Sequence, residues 1–465
     1  MNQTTIVNRR PIVLIDRARL NEPIFYNHPN IEFLELFKHG MDRTGRKFIE
    51  VKDQKGVRRK LQPNEVSLSW LGRVPGVLAR QSLQMNKSFI SRVLRKAQLP
   101  IANPTTVAWE KKEIYPSTAG IKKSKKEFAR KLGFLKADAM AYFRDILIGS
   151  DVYLKPERGG GGNSVARIKL KGPVLVISTN DDALRRVLKR KLRAEEKENG
   201  TLHFRLLNDK KIREESPFWL ENSSYLRNLK RFFDAYTRHV KRTAPGRTFM
   251  ELAVPVARLN DRPVEIRLVI VNASNQFKYT GSYAKIGRAN SPTANISQGA
   301  EAADTQKTLE KMHASAYPYL RSTEVKERSK KLFGLMKKLA EKSAKVVQRR
   351  IFIPDFKETN PEYIEEVIRL ANMSGNPTTR YSDALRTVKH MHKRTAYGVD
   401  ISLVHDQKTG EFKPMIMEVN GQPGLTGLKE VDPAAYQQIR RYEILQIEKE
   451  VSKVRHTNST KSATP

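Results

Sequence analysis

The 465-residue sequence contains no cysteine, and this absence removes several kinds of chemistry at once. It excludes disulfide bonds, cysteine nucleophiles and thiolate zinc sites, and it gives no sign of an oxidising compartment. No apolar run approaches the roughly 18–20 residues that a membrane span needs. The apolar run Ile12–Ile15, behind Arg9 and Arg10, is too short for a signal peptide. These absences predict a soluble, cytoplasmic protein with no membrane partner.

Acidic side chains are scarce relative to basic ones: 49 Asp and Glu stand against 87 Lys and Arg, so the formal net charge is +38. Such an excess favours polyanionic partners, including nucleic acid, acidic proteins and nucleotides. A solvated basic surface without a specific partner explains it equally well. Hydrophobic residues make up 39% of the chain and charged residues 29%, which is typical of a globular protein with a sizeable core.

Two apolar runs near the C-terminal end alternate with polar residues. Tyr397–Leu403 and Met415–Leu425 predict a β-hairpin. Asp400 is expected on the first strand, and Glu418 and Asn420 on the second. Glu418 and Asn420 are two residues apart, so their side chains share one face. If the pairing brings Asp400 alongside, three oxygen ligands suited to Mg²⁺ meet at one place. The alternative is a strand with a few solvated polar groups.

A run of glycines follows a predicted strand in the first half of the chain. Asp151–Pro156 carries Lys155 near its end, Gly159–Gly162 follow it, and Val165–Leu170 is typical of a further strand. Glycine N–H groups approach phosphate oxygens closely, and Lys155 would face the same anion. No Gly-Lys-Ser/Thr closes the run, so it is not a P-loop, and it opens no helix as a Rossmann fingerprint does. A flexible linker is the alternative.

These two stretches carry a resemblance to a known family. Met417–Leu425 (MEVNGQPGL), preceded by Gly398-Val399-Asp400, resembles the metal-binding end of ATP-grasp carboxylate–amine ligases. It is most similar to the branch of the ribosomal-protein glutamate ligases and to the endospore coat-associated ATP-grasp proteins. The order of strand, Lys-Pro, glycine run and strand is similar to the ATP-grasp lid. The resemblance implies an α/β (α+β) ATP-grasp fold that holds the nucleotide between two α/β subdomains, behind a small N-terminal α/β lobe.

The resemblance and the hydrophobic pattern together predict four parts. These are an N-terminal lobe (1–84), a first ATP-grasp part with the glycine-rich lid and a basic helical insertion (85–247), a C-terminal ATP-grasp part with the adenine hinge, a helical insertion and the metal site (248–435), and a terminal helix with a polar tail (436–465). Apolar residues at helical spacing predict helices at 86–94, 181–199, 223–242, 325–348, 361–373, 382–394 and 436–454. We expect a basic helical run at 122–131 and a frayed tail after Arg455.

The resemblance also implies a nucleotide site whose members are spread along the chain. Basic side chains and glycine N–H groups would bind the phosphates, an acidic residue the ribose, and the backbone of a hinge strand the adenine. The candidates are Lys87, Lys155, Gly160, Gly161 and Gly162 for the phosphates, Glu251 and Leu252 for the adenine, Glu265 for the ribose, and Asn295 beside the triphosphate. Their structural alternatives are surface lysines, a buried strand and a cross-strand ion pair.

The chemistry implied by the resemblance is ATP-dependent ligation of a carboxylate to an amine through an acyl-phosphate. Arg267 and Lys285 are the candidate catalytic residues. Mg²⁺, with Mn²⁺ as the alternative ion, is expected on Asp400, Glu418 and Asn420. The two substrates are not readable, although an acidic peptide or protein tail suits the basic surface. Two other functions remain open: a nucleic-acid- or particle-associated protein that keeps the nucleotide site without turnover, and a kinase that phosphorylates a hydroxyl.

Overall fold

The computed structural model describes residues 10–41, 44, 46–62, 65–69, 87–101, 106–110, 113–116, 151–156, 164–197, 200–207, 223–243, 248–273, 276–289, 291, 293–351, 396–406, 409–421 and 423–461. The predictions for Gly160, Gly161 and Gly162, for the basic run at 122–131 and for the helices at 361–373 and 382–394 lie outside these residues. Across the described ranges, every helix is too short or too polar to cross a membrane.

The N-terminal part forms a five-stranded sheet with strand order β4-β3-β2-β1-β5. Its elements are β1 (Ile12–Ile15), α1 (Arg17–Leu20), α2 (Pro23–Tyr26), β2 (Glu32–Met41), β3 (Lys47–Lys52), β4 (Arg58–Leu61) and β5 (Val66–Ser69). Successive side chains of β1 point to opposite faces, so Val13 and Ile15 enter one core and Leu14 enters another. Strand β1 is therefore buried on both faces, and it pairs with β2 on one side and with β5 on the other.

An eight-stranded sheet with order β11-β12-β10-β9-β8-β13-β6-β7 forms the second unit. Its strands are β6 (Thr106–Glu110), β7 (Glu113–Pro116), β8 (Val152–Pro156), β9 (Ala166–Lys171), β10 (Val174–Thr179), β11 (Glu195–Glu196), β12 (Leu202–Arg205) and β13 (Thr248–Leu252). Helices α4 (Asp182–Leu192) and α5 (Ser223–Thr243) cover it. Leu184 and Leu188 of α4 and Phe232 and Phe233 of α5 are fully buried, as their helical spacing predicts.

The prediction that α4 continues to Asn199 is wrong. The helix ends at Leu192 because Arg193 adopts a left-handed conformation with φ of +54°. The chain then extends, and Glu195 and Glu196 pair with β12. The charged residues after Leu192 looked helical in the sequence, but strand pairing outweighs that weak local preference.

A six-stranded sheet forms the third unit, with order β17-β16-β15-β18-β19 and β14 beside β15. Its strands are β14 (Arg258–Leu259), β15 (Arg262–Ala273), β16 (Gln276–Ile286), β17 (Glu301–Ala303), β18 (Ala396–His405) and β19 (Phe412–Asn420). Its helices are α3 (Lys87–Lys96), α6 (Thr305–Ala316), α7 (Ser322–Ile351), α8 (Thr426–Val431) and α9 (Pro433–Lys461). The fold class is α/β, as predicted.

The side chains of strand β15 point alternately to the two faces of this sheet. Ile266 and Leu268 enter the large core with α3, α6 and α7. Val269 and Val271 enter a smaller core with α8 and α9 on the other face. Glu265 and Arg267 lie on the same face as Val269 and Val271, as the predicted alternation requires.

Two other helix predictions need correction. The sequence reading missed α6, although Asp304 is a recognisable N-cap whose side chain accepts from the Lys307 N–H. The last helix extends to Lys461, so the polar stretch after Arg455 is helical and not a frayed tail. Adding a residue to an existing helix costs far less than nucleating one, so a helix can continue into poor helix formers.

Candidate functional site

The predicted C-terminal hairpin is present as strands β18 and β19. Asp400 lies directly opposite Glu418, and Asn420 lies opposite Gly398, so all three polar side chains share one face. A β-bulge next to Asp400 leaves Met417 as an extra residue. Beyond the bulge, the Ile416 N–H donates to the Pro100 carbonyl at 2.9 Å, which ties β19 to the chain that leaves α3.

Asp400 is the centre of an ion-pair cluster on this face. Arg267 lies opposite it on β15, with Nε 2.7 Å from Oδ1 and Nη2 2.6 Å from Oδ2. Lys285 Nζ lies 3.1 Å from Oδ1, and the Asn420 amide donates to Oδ2 at 3.3 Å. Burial opposes ionisation of this carboxyl, but Arg267 and Lys285 outweigh it and hold the pKa of Asp400 well below its usual range.

Lys285 joins Asp400 to the predicted ribose ligand Glu265. It lies opposite Glu265 in the β15–β16 pairing and donates to its carboxylate. Burial raises the pKa of Glu265 to about 7, against the attraction of Lys285. Burial and the charge of Arg267 lower the pKa of Lys285, but Asp400 and Glu265 raise it further, and the net pKa lies above the usual lysine range. Lys285 is therefore charged at neutral pH.

The donor groups around Glu418 and Asn420 fit a magnesium ion. The Glu418 side chain is 31% exposed, and Lys87 Nζ is 3.5 Å from its Oε1. An exposed carboxylate and a neighbouring amide suit an ion that retains several waters. Asp400 fits less well, because both of its oxygens already accept from nitrogen donors and it is 2% exposed. Within the described part of the chain, no three His, Cys, Asp or Glu side chains form a metal-binding group.

A small cleft, partly open to solvent, separates helix α3 and strand β19 from the eight-stranded sheet. Four of the predicted site residues line it: Lys87, Lys155, Glu251 and Glu418. The remaining lining is mainly apolar and is formed by Ile90, Ser91, Leu94, Ile101, Ile416, Met417 and Val419. The cleft thus combines an apolar lining with two lysines and two carboxylates, a mixture of the kind found in small-ligand sites.

Lys155 and Glu251 form an ion pair on one wall of this cleft. Lys155 lies on β8 and Glu251 on the neighbouring strand β13, and Lys155 Nζ donates to Glu251 Oε2 at 2.6 Å. Burial alone would lower the pKa of Lys155, but Glu251 and, less strongly, Glu418 raise it above the usual lysine value. The ammonium group is therefore charged on the wall of the cleft.

The remaining predicted residues lie apart from these ion pairs or are only partly described. The Asn295 side chain caps the 3₁₀ turn Ile296–Gln298 by accepting from the Ser297 N–H at 3.1 Å and from its hydroxyl at 3.0 Å. Leu252 lies at the end of β13, so its backbone is placed beside that of Glu251. The side chain of Leu252 lies outside the described part of the structure.

Sequence reasoning missed Tyr283, which lies opposite Arg267 on β16. Its hydroxyl donates to the Gly424 carbonyl at 3.1 Å, and Arg267 Nη1 donates to the same carbonyl at 3.4 Å. The turn after Asn420 is thereby held against the ion-pair cluster. The missed signal is the spacing of Tyr283 and Lys285, which two-residue periodicity places on one face.

Residues 148–352 match the model of the family described as YheC/D like ATP-grasp. A search of curated protein sequences finds no match. Solved structures with a similar arrangement include D-alanyl-alanine synthetase A from Vibrio cholerae, with 9% identity, a TM-score of 0.39, and coverage of 96% of this chain and 98% of that one. D-cycloserine synthetase DcsG has 11% identity, a TM-score of 0.37, and coverage of 96% and 100%.

A third similar structure is the biotin carboxylase domain of the Hydrogenobacter thermophilus 2-oxoglutarate carboxylase, determined with MgADP, ADP and bicarbonate. It has 13% identity and a TM-score of 0.31, and the match covers 78% of this chain and 46% of that one. TM-scores below 0.5 establish no detailed correspondence, so the family match carries the assignment. The predicted ATP-grasp resemblance and fold class are confirmed at a general level: residues 148–352, less than half of the chain, are similar to the YheC/D-like ATP-grasp proteins, and the more specific branches stay a prediction.

Proposed function

We propose that this protein is an ATP-dependent carboxylate–amine ligase that forms an amide bond through an acyl-phosphate. The observation that carries the proposal is the alignment of Arg267, Asp400 and Glu418 across three neighbouring strands. The cleft lined by Lys87 and Lys155 begins at Glu418, so a nucleotide there would point its phosphates toward this row. Cations, carboxylates and an amide then meet at the end of the triphosphate, where phosphoryl transfer needs charge neutralisation.

In this proposal a carboxylate oxygen of the first substrate attacks the γ-phosphorus of ATP. The bond between that phosphorus and the β,γ-bridging oxygen breaks, and ADP leaves. The amine of the second substrate then attacks the acyl carbon, inorganic phosphate leaves, and the nitrogen loses a proton. No covalent bond to the protein is needed, so catalysis rests on positioning and on charge. An acidic peptide or protein tail is the proposed carboxylate substrate, because it matches the net charge of +38.

Each of the site's side chains has a separate role in this scheme. Lys87 and Lys155 bind phosphates from the cleft, and Arg267 and Lys285 neutralise the charge that develops on the transferring group. Glu418 and Asn420 would hold Mg²⁺, which supplies electrostatic stabilisation of the phosphate oxygens when bound. Asp400 orients Arg267 and Lys285, and it becomes available to the ion only where these cations release one of its oxygens.

The test is release of ADP from purified protein supplied with ATP, Mg²⁺, single amino acids and acidic peptides, followed by mass spectrometry of the products. A product heavier by one condensed amine, formed with equal amounts of ADP, supports ligation. A stable phosphorylated hydroxyl indicates a kinase, and ATP that is never consumed contradicts both enzymes.

Glu418→Ala tests the assignment within that assay. We expect turnover to fall by about 100-fold or more, because the loss of a metal ligand costs several kcal/mol of transition-state stabilisation. Glu411→Ala is the matched control, because Glu411 is an exposed residue in the turn of the same hairpin. Unchanged turnover in Glu418→Ala, with both variants folded, refutes the role of Glu418.

A second candidate function is binding of a polyanion by a protein that keeps the nucleotide site without turnover. The net charge of +38 favours it, because this excess extends far beyond the ion-paired residues of the cleft. The two candidates differ in one measurable property. A polyanion binder retains nucleic acid in a salt-dependent manner and releases no ADP with any carboxylate and amine pair.

A further inference from the structure

Strand β3 of the N-terminal sheet has two faces of different character. Ile49 and Val51 are buried in a core that the strand shares with the other four strands of the sheet. Successive side chains of a strand point to opposite faces, so Phe48, Glu50 and Lys52 lie on the other face. All three are partly exposed. One face of β3 therefore supports the fold, and the other is accessible from solvent.

The neighbouring strands extend this accessible face. On β4, Arg58 lies opposite Lys52, and Lys60 lies opposite Glu50. On β2, Phe37 is the extra residue of a β-bulge, and its ring is 44% exposed. We call this surface the Phe37 face, and it consists of Phe37, Phe48, Glu50, Lys52, Arg58 and Lys60.

The cations of the Phe37 face lie over its aromatic rings. Lys52 Nζ is 3.8 Å from the centre of the Phe37 ring, and the Arg58 guanidinium carbon is 4.2 Å from the same centre. Lys60 Nζ is 5.1 Å from the centre of the Phe48 ring. These contacts place all three cations on the same side of the sheet as the two rings.

The Phe37 face carries an excess of positive charge. Its carboxylate, Glu50, lies 3.8 Å from Arg58 Nη1. Within the part of the chain that the structure describes, Lys52 and Lys60 form no ion pair. An exposed cation–π contact is also weaker than the stacking of a nucleobase on an aromatic ring. An anionic ligand that contains flat rings can therefore replace the present contacts with stronger ones.

We propose that the Phe37 face binds single-stranded nucleic acid, with bases stacked on its two rings and phosphates bound by its three cations. A duplex fits less well, because its bases are already stacked on one another. An acidic protein also fits less well, because lysine is depleted at protein–protein interfaces. None of the residues of the Phe37 face lines the cleft, so this inference goes beyond the proposed ligation and does not depend on it.

The experiment measures, by fluorescence anisotropy, the affinity of the full-length protein for a labelled single strand of about 12 thymidylates at about 0.15 M salt, without ATP. Phe37→Ala should weaken binding by about tenfold, because it removes the ring on which one base stacks. Phe37→Tyr retains an aromatic ring and should bind as the wild type does. Tyr319→Ala is the matched control, because Tyr319 is 76% exposed but lies in the connection between α6 and α7.

Two double variants test the charges. Lys52→Gln/Lys60→Gln removes two of the three cations of the Phe37 face, whereas Lys338→Gln/Lys342→Gln removes two exposed lysines of α7. Each phosphate contact of a single strand adds about 0.7 to the slope of log affinity against log salt, so the first double variant should reduce the magnitude of that slope by about 1.4. The second should leave the slope unchanged.

Ultraviolet cross-linking of the wild-type protein to the same strand gives a readout that needs no variant. Mass spectrometry should find the attached nucleotide on a peptide that contains Phe37 or Phe48. A duplex of the same length and polyglutamate serve as comparison ligands, because neither offers an unstacked base. Both should bind more weakly than the single strand, and neither affinity should change in Phe37→Ala.

Equal affinities of the wild type and Phe37→Ala for the single strand overturn the proposal. Equal losses in Phe37→Ala and Tyr319→Ala overturn it too, as do cross-links confined to peptides outside residues 32–61. If Phe37→Ala does not fold, the lysine variants and the cross-links still decide. If no carboxylate and amine pair leads to ADP release, the proposed function fails, but the oligonucleotide result stands because that assay contains no ATP.

Discussion

Glu443→Gln tests how much the buried ion pair between the N-terminal part and the last helix contributes to the free energy of unfolding. Glu443 lies on α9, and its Oε1 accepts from Arg19 Nε at 2.9 Å and from Arg19 Nη2 at 2.7 Å. Its Oε2 accepts from Arg440 Nη1 at 2.8 Å. Ile444, Ile447 and Val451 of the same helix pack into the core of the N-terminal sheet. The ion pair therefore connects α1 in the N-terminal part of the chain to the last helix, α9.

The magnitude follows from the pKa of Glu443. Burial opposes its ionisation, but Arg19 and Arg440 hold its pKa at about 2, compared with 4.5 for an ordinary glutamate. Each pKa unit is worth about 1.4 kcal/mol, so the charged form contributes about 3 kcal/mol to the free energy of unfolding at neutral pH. The range for breaking a buried ion pair is similar, about 3–5 kcal/mol.

The sign of the pH dependence is also determined. Because the folded-state pKa is depressed, the contribution is fully present above the unfolded value near 4.5 and is lost as the pH falls through about 2. Urea unfolding of the wild type and of Glu443→Gln should therefore differ by about 3 kcal/mol at pH 7. The difference should shrink steadily below about pH 5.

Glu448→Gln is the matched control on the same helix. Glu448 contacts His28 of the N-terminal part at 3.1 Å, but its side chain is 39% exposed. A pair whose carboxylate is this exposed contributes about 0–1 kcal/mol. Equal unfolding free energies for Glu443→Gln and the wild type at pH 7 would refute the reasoning, as would a difference that stays constant down to pH 2.

Two further predictions concern packing and nucleotide binding. A Cβ at Gly427 would lie 2.5 Å from the ring of Tyr283, so Gly427→Ala should lower the free energy of unfolding by about 1–3 kcal/mol. Gly334 lies in open space on α7, so Gly334→Ala should raise the free energy of unfolding by about 0.5–1 kcal/mol. Chemical denaturation measures both variants, and equal effects would contradict the packing argument. Lys155→Met should weaken ATP binding by about 10-fold or more, because it removes the ammonium group that would form a charge-assisted hydrogen bond with a phosphate in the cleft. Unchanged affinity, measured by calorimetry, would exclude Lys155 from the nucleotide site.

Local patterns in the sequence were sufficient to place one face of the site. On β15 the alternation of Glu265 and Arg267 with Ile266 and Leu268 predicts two faces of opposite character, and the structure has them. The polar ends of two apolar runs predict the hairpin that brings Asp400 opposite Glu418. These predictions succeed because a period of two residues depends only on neighbouring residues in the chain.

The ion-pair partners were not predictable from the sequence, because they are determined by which strands pair and in which register. Glu265 and Arg267 are two residues apart, and the structural alternative for them was a cross-strand ion pair, which each of them forms without its partner having been named. Directly opposite residues on neighbouring strands lie closer together than residues two apart along one strand. Arg267 therefore binds Asp400, 133 residues away, and Glu265 binds Lys285. The hydrogen bonds that the Asn180 amide donates to Ser291, Thr293 and Gln298 also escaped prediction, because they join parts of the chain that are far apart in the sequence.

The pairing of charges in the site has a consequence for metal dependence. Four predicted cations contact four carboxylates, in the pairs Lys87–Glu418, Lys155–Glu251, Arg267–Asp400 and Lys285–Glu265, and Lys285 also contacts Asp400. These eight groups are formally neutral when all are ionised, despite the net charge of +38 on the whole chain. An entering triphosphate therefore competes with four carboxylates for their cations.

A divalent cation at Glu418 and Asn420 would relieve that competition, because it binds the carboxylate and the phosphates together. We therefore expect ATP affinity to fall by about tenfold or more when Mg²⁺ is removed with a chelator, which corresponds to about 1.4 kcal/mol or more. Adenosine carries no phosphate and serves as the control, so its affinity should not depend on Mg²⁺. Equal ATP affinity with and without Mg²⁺ would show that the paired cations leave their carboxylates and bind the phosphates without the ion. It would also show that Glu418 has no role as a metal ligand in nucleotide binding.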